Sequence, residues 1–114
     1  MTRDEMRERW RLAAVEAAQA DDVAARRKEG KAIFLDQLIE TLIEQSEENG
    51  EKLAQARAER MARTSEAFRS YLKKMHEARL RADLLRITER DLDRQYWANV
   101  SAEATYRVEA RASL

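Results

Sequence analysis

No proline occurs in these 114 residues and only two glycines do, so almost nothing in the chain is built to stop a helix. Proline removes a backbone donor and glycine loosens a helical turn, so without them helix is the default wherever apolar residues recur at the right spacing. One stretch alone reads as a turn: Ser46-Glu47-Glu48-Asn49-Gly50, where Asn and Gly supply the left-handed residue that helix C-termini favour. The chain therefore reads as two long helices and whatever joins them.

The apolar spacing fills in the rest. Thr2 followed three residues later by Glu5 fits a capping box at the start of a helix. Met6, Trp10, Ala13, Ala17, Ala20 and Ala24 then mark one narrow helical face. The stripe passes Arg27 and Lys31 and resumes as Phe34, Leu38 and Leu42, with Leu35, Ile39 and Ile43 widening it. Gly30 lies inside the pattern and costs about 1 kcal/mol relative to alanine without ending the helix. The spacing predicts a helix over 3–47 and a short one over 51–62. After a cap at Thr64 or Ser65, a third helix is predicted over 65–111. On this third segment Tyr71, Met75, Ala78, Ala82, Leu85, Leu92, Tyr96, Tyr106 and Ala110 share one heptad seam, interrupted by Glu89, Asn99 and Glu103. A second stripe runs beside it: Leu80, Leu84, Ile87, Trp97, Val100, Ala104 and Val108.

Two long helices of similar length predict a single all-α domain spanning 1–114: a long antiparallel, coiled-coil-like hairpin with a short connecting helix at its tip. Folding back symmetrically about the connector sets Leu42 near Phe68, Phe34 near Ala78, Met6 near Tyr106 and Glu103 near Arg9. The alanine stripe then faces Tyr96 and Leu92, and Arg27 lies near Leu85, a turn from Glu89, in a polar layer able to fix register. A two-helix hairpin encloses little core, so a homodimer is expected, its second apolar stripe serving as the interface.

Composition closes several routes to function. The chain has no cysteine, which excludes disulfide scaffolds and thiolate metal sites. Its 22 basic and 22 acidic side chains cancel, so no overall charge announces nucleic acid or membrane. No apolar run exceeds four residues, as from Ala32 to Leu35, far short of the ~20 a membrane span needs, and the charged N-terminus carries no signal-peptide pattern. His76, the only histidine, sits among Lys73, Lys74 and Glu77 and reads as a solvated imidazole with no second ligand for a metal. The carboxylates alternate with bases at helical spacing, as do Arg86, Arg90 and Arg94 among Asp83, Glu89, Asp91 and Asp93, and read as a laced solvent face. Gly30-Lys31 lacks the first glycine and the strand of a phosphate loop, and no serine has a histidine to activate it. No catalytic, cofactor-binding or metal-binding residue is expected, and the protein is read as a non-enzyme without a cofactor.

Charge distribution says more. Residues 35–51 carry six acids and no base, whereas residues 57–81 have a net charge of +5. A hairpin tip brings these segments together, and mutual neutralisation is the plain expectation. The alternative is a basic docking surface formed by Arg57, Arg60, Arg63, Arg69, Lys73 and Lys74 for single-stranded nucleic acid or an acidic partner, with Phe68 and Tyr71 available to stack on bases. Trp10, Leu84, Ile87, Trp97, Val100, Ala104 and Val108 form the candidate protein interface, since Trp anchors many binding surfaces.

The stretch Gly50-Glu51-Lys52-x-Ala54-x-Ala56-x-Ala58-Glu59-x-x-Ala62-x-Thr64-Ser65-Glu66-Ala67-Phe68-x-x-Tyr71-Leu72 continues through Glu77-Ala78-Arg79 to Trp97. Over residues 30–111 it resembles small helical proteins of unassigned role encoded in tailed phages and prophages. The chain departs from that pattern at Glu66, where a proline commonly follows the connector's serine. Such proteins often lie beside recombination and single-strand DNA genes. The resemblance thus implies a bacterial cytoplasm and an accessory role in DNA recombination or replication. The residues themselves point first to an interaction protein, an adaptor or inhibitor that binds an unidentified protein through its second apolar stripe or its charged tip.

Overall fold

The structure, a computed structural model, describes residues 1–113. Three helices follow in order: α1 (Arg3–Glu48), α2 (Gln55–Arg63) and α3 (Glu66–Ala112), with no strand among the described residues. The two long helices pack together antiparallel and α2 connects them, so the fold is the all-α hairpin that the spacing predicts. The chain divides into two compact units, one joining Met1–Asp21 to the chain from Arg81 onward, the other running from Asp22 to Leu80.

Each helix end has a local cause. The Thr2 hydroxyl accepts from the Glu5 amide at 3.2 Å, and the Glu5 carboxylate accepts from the Thr2 amide at 3.4 Å, which is the reciprocal capping box. α1 ends at Gly50, whose φ of 73° is the left-handed conformation glycine adopts without a Cβ penalty. The Glu51 amide then donates to the Ser46 carbonyl at 2.9 Å and the Gly50 amide to the Glu47 carbonyl at 3.0 Å. These two bonds make a Schellman closure, which satisfies carbonyls that a helix end otherwise leaves open. That closure consumes Glu51, and Ala54 is extended, so the connecting helix starts at Gln55 and not at 51. Ser65 caps α3 by accepting from the Phe68 amide at 3.2 Å, while Thr64 turns back and donates to the Arg60 carbonyl at 2.9 Å.

In the unit from Asp22 to Leu80, Leu35, Ile39, Ala58, Ala62 and Phe68 form the buried core. Phe34, Leu38, Leu42, Ile43, Leu53 and Leu72 pack around it. All three helices contribute, so the widened stripe on α1 serves two partners at once, α2 and the start of α3. This arrangement corrects the expected register. Phe34 stacks on Tyr71 with ring centroids 4.6 Å apart and not on Ala78, seven residues further along. α2 does not cap the hairpin end-on. Its buried Ala58 and Ala62 lie against the Leu35–Ile39 turn of α1, so α1 extends past the start of α3.

The other unit shows the same displacement. Trp10 stacks on Tyr96 at 6.2 Å, and Arg3 pairs with Glu103, the acid expected near Arg9, six residues away. Tyr96 therefore faces Trp10 and not the alanine stripe, and Tyr106 is 73% exposed and not packed on Met6. Ala17, Ala20, Ala82 and Tyr96 are its buried residues, and the alanines let the backbones approach closely. The polar layer at Glu89 exists, but Arg86 makes it: its guanidinium meets Asp21 of α1 at 2.7 Å and Glu89 at 2.6 Å. The expected contribution of Arg27 is a backbone one, its carbonyl accepting from the Tyr71 hydroxyl at 2.5 Å.

Candidate functional site

The basic candidates fall on α2 and the first turns of α3. Ala58 and Ala62 face the core, so α2 turns the neighbouring Arg57, Arg60 and Arg63 to solvent. On α3, Phe68 is buried and Tyr71 half-buried, which leaves Arg69, Lys73 and Lys74 outside. Lys73 reaches Glu77 at 4.0 Å on its own helix. Arg57, Arg60, Arg63 and Arg69 make no ion pair among the described residues, and neither do Asp36, Glu40 and Glu44 of α1. Acidic and basic segments share a unit, as the expected neutralisation requires, with the charges of these residues turned outward. Phe68 and the Phe34–Tyr71 stack belong to the packing of the hairpin. Beside them, Arg27, Ser70 and Lys74 help line a cleft of 360 Å³.

The aromatic candidates form a stack in the other unit. The Trp10 ring lies nearly parallel to Tyr96, whose ring meets Trp97 edge-on at 5.4 Å. Arg7 sits 5.7 Å from the Tyr96 ring centre and donates to its hydroxyl at 2.9 Å; this hydrogen bond, with the phenol's charge interaction second, holds the Arg7 pKa above its ordinary value. The Trp10 indole N–H is buried and has no acceptor. Trp10 is thus mostly internal, whereas Trp97 presents more than half its surface to solvent.

The remaining interface candidates lie along the outside of α3. Leu84 is 56%, Ile87 53% and Val108 66% exposed; Ala104 is exposed and Val100 half-buried. Because Arg3 already meets Glu103, α3 runs on without a partner from α1, and every residue over 104–112 is exposed. On α1 of the same unit Leu12 and Val15 are also exposed. Among the described residues no helix is long and apolar enough to cross a membrane. Among the described residues no group of three His, Asp or Glu side chains is placed to hold a metal ion.

One cluster escapes a linear reading. Lys28 and Lys31 of α1 and His76 and Arg79 of α3 line a groove of 620 Å³ together with Ala24, Ala25 and Met75. The segment Arg26-Arg27-Lys28-Glu29-Gly30-Lys31 and the lysines after Tyr71 are separated by more than forty residues. Only the antiparallel register brings them together, and the register expected from a symmetric fold-back hid the pairing.

No protein-family profile matches the chain, and neither a curated protein nor a solved structure shows significant similarity to it.

Proposed function

We propose that the protein works by binding other proteins, as a non-catalytic helical adaptor or inhibitor of phage or prophage type, itself a homodimer in the bacterial cytoplasm. One observation carries this reading: Leu84, Ile87, Trp97 and Val108 stand exposed on a single helix whose last turns are covered by none of the described residues. Isolated exposed apolar residues are ordinary; a row of them along one helix is the usual mark of a protein contact. The test is a Leu84→Asp, Ile87→Asp double variant compared with the native chain by sedimentation. Both sites are solvent-facing, so the variant keeps its helical circular dichroism. A native mass above that of a monomer that falls in the variant supports the reading. An unchanged assembly in the variant contradicts it.

A second reading is an accessory role in DNA recombination or replication, with single-stranded nucleic acid on the surface of Arg57, Arg60, Arg63, Arg69, Lys73 and Lys74. What favours it is that the first four of these make no ion pair among the described residues. Reversing Arg60, Arg63 and Lys73 to Glu tests it: unchanged affinity for a labelled oligonucleotide contradicts this reading.

A further inference from the structure

We infer that the groove between Lys28, Lys31, His76 and Arg79 is a binding site for a linear phosphate polyanion, the chemistry shared by a single-stranded nucleic-acid backbone and inorganic polyphosphate. It does not depend on the protein-binding reading, and it goes beyond the second, because Lys28 and Lys31 of α1 lie outside the segment 57–81 although His76 and Arg79 lie within it.

The lining carries the argument. In a chain whose acids and bases cancel, four of the seven residues around this groove are basic or imidazole and none is a carboxylate. Lys28 and Lys31 make no ion pair among the described residues, so their charges are available to a ligand. Glu77, the acid next to His76, is drawn towards Lys73 on its own helix.

The spacing then selects a linear ligand. Lys28 and Lys31 are three residues apart on α1, and His76 and Arg79 are three apart on α3, so each pair advances about 4.5 Å along its helix. A single phosphate favours donors converging on one point. Two rows advancing at the same pitch on opposite walls instead suit charge strung along a line, where each neutralised phosphate releases a counterion. Ala24 and Ala25 leave the groove open, because neither of these lining side chains is large enough to fill it. Met75, flexible and polarizable, gives an apolar surface for a sugar or base to lie against.

The experiment measures binding of labelled oligothymidine and of inorganic polyphosphate to the native protein and three variants at low and moderate salt. The variants are Lys28→Glu with Lys31→Glu, Ala25→Leu, and the reversal of Arg60, Arg63 and Lys73 to Glu. All these positions are exposed, and circular dichroism checks the fold. The lysine reversal is expected to weaken binding at least tenfold and to flatten the salt dependence by about 1.4 log units per log unit of salt, about 0.7 for each phosphate that the protein no longer neutralises. Ala25→Leu changes no charge but narrows the groove that this residue lines, and it is expected to weaken binding several-fold. Diffuse surface attraction would not produce that effect. Preference for oligothymidine identifies a nucleic-acid strand as the source, and equal binding per phosphate identifies any phosphate chain. The inference is overturned if the native protein binds neither polyanion at low salt. It is also overturned if the lysine reversal binds like the native chain while the Arg60, Arg63 and Lys73 variant loses affinity; that result leaves the second reading standing.

Discussion

Gly30 occupies a continuous helix where alanine is the better former, and Tyr71 supplies the reason. A Cβ at this position would lie 2.9 Å from the Tyr71 hydroxyl oxygen, which is held by the Arg27 carbonyl while its ring stacks on Phe34. Two effects of similar size oppose each other: about 1 kcal/mol of helix propensity gained by alanine and about 1 kcal/mol of hydrogen bonding lost when the phenol is pushed away. Gly30→Ala should therefore leave stability nearly unchanged in the native background. In a Tyr71→Phe background it should add about 1 kcal/mol, because the obstructing oxygen is gone. Equal effects in both backgrounds, read by urea denaturation, would show that the close approach does not matter. At the N-terminus, hydrogen bonding from Arg11, and its charge to a lesser degree, hold the Glu8 carboxyl below the usual carboxylate range. Its folded value being the lower one, the contribution of this pair is present at neutral pH and is lost as pH falls through that value. Acid titration of the native chain should thus show a loss of stability that Glu8→Gln lacks. Arg86 reads from sequence as one of several solvent-facing bases. Its half-buried place between Asp21 and Glu89 depends on a pairing between residues 65 apart, which periodicity cannot express.

Among the elements, α2 contributes most to the fold for its length. Its Ala58 and Ala62 are fully buried against Leu35, Ile39 and Phe68, leaving no room for a larger side chain. Ala62→Leu should destabilise by about 1–3 kcal/mol through overpacking, whereas Met61→Gln, at an exposed neighbour, should change little. Thermal melts of the two variants check this, and equal melting temperatures would contradict the packing. The helices themselves were legible in the sequence. The cap at Thr2, the glycine closure and the heptad seam each have a local physical signature, and helices α1 and α3 end within a residue of where those signatures place them. The register was not legible, because it depends on how the connector lies. Leu35, Ile39 and Ile43 widen the α1 stripe, but whether that width serves a second chain or α2 is decided by the extended turn from Glu51 to Ala54. A displacement of one heptad keeps the seam in phase, since seven residues bring the same face round again. The sequence pattern is nearly blind to such a slip.

For the molecule as a whole, the apolar surface exceeds what the chain covers by itself. The fully buried side chains are alanines, and no large side chain is completely enclosed among the described residues. Leu84, Ile87, Trp97 and Val108 remain outside, as does α3 beyond Glu103. A second copy laid along this face would supply the burial that a hairpin of this size lacks. That Leu84, Ile87 and Val108 stand exposed was legible from the second stripe; that Trp10 stacks inside while Trp97 stays outside was not, because the displaced register sets both. The most direct measurement is sedimentation equilibrium of the native chain over a wide range of concentration. A homodimer should give a mass of roughly twice 13.3 kDa at the upper end, declining towards the monomer on dilution. A mass of 13.3 kDa at every concentration would refute dimerisation through this face.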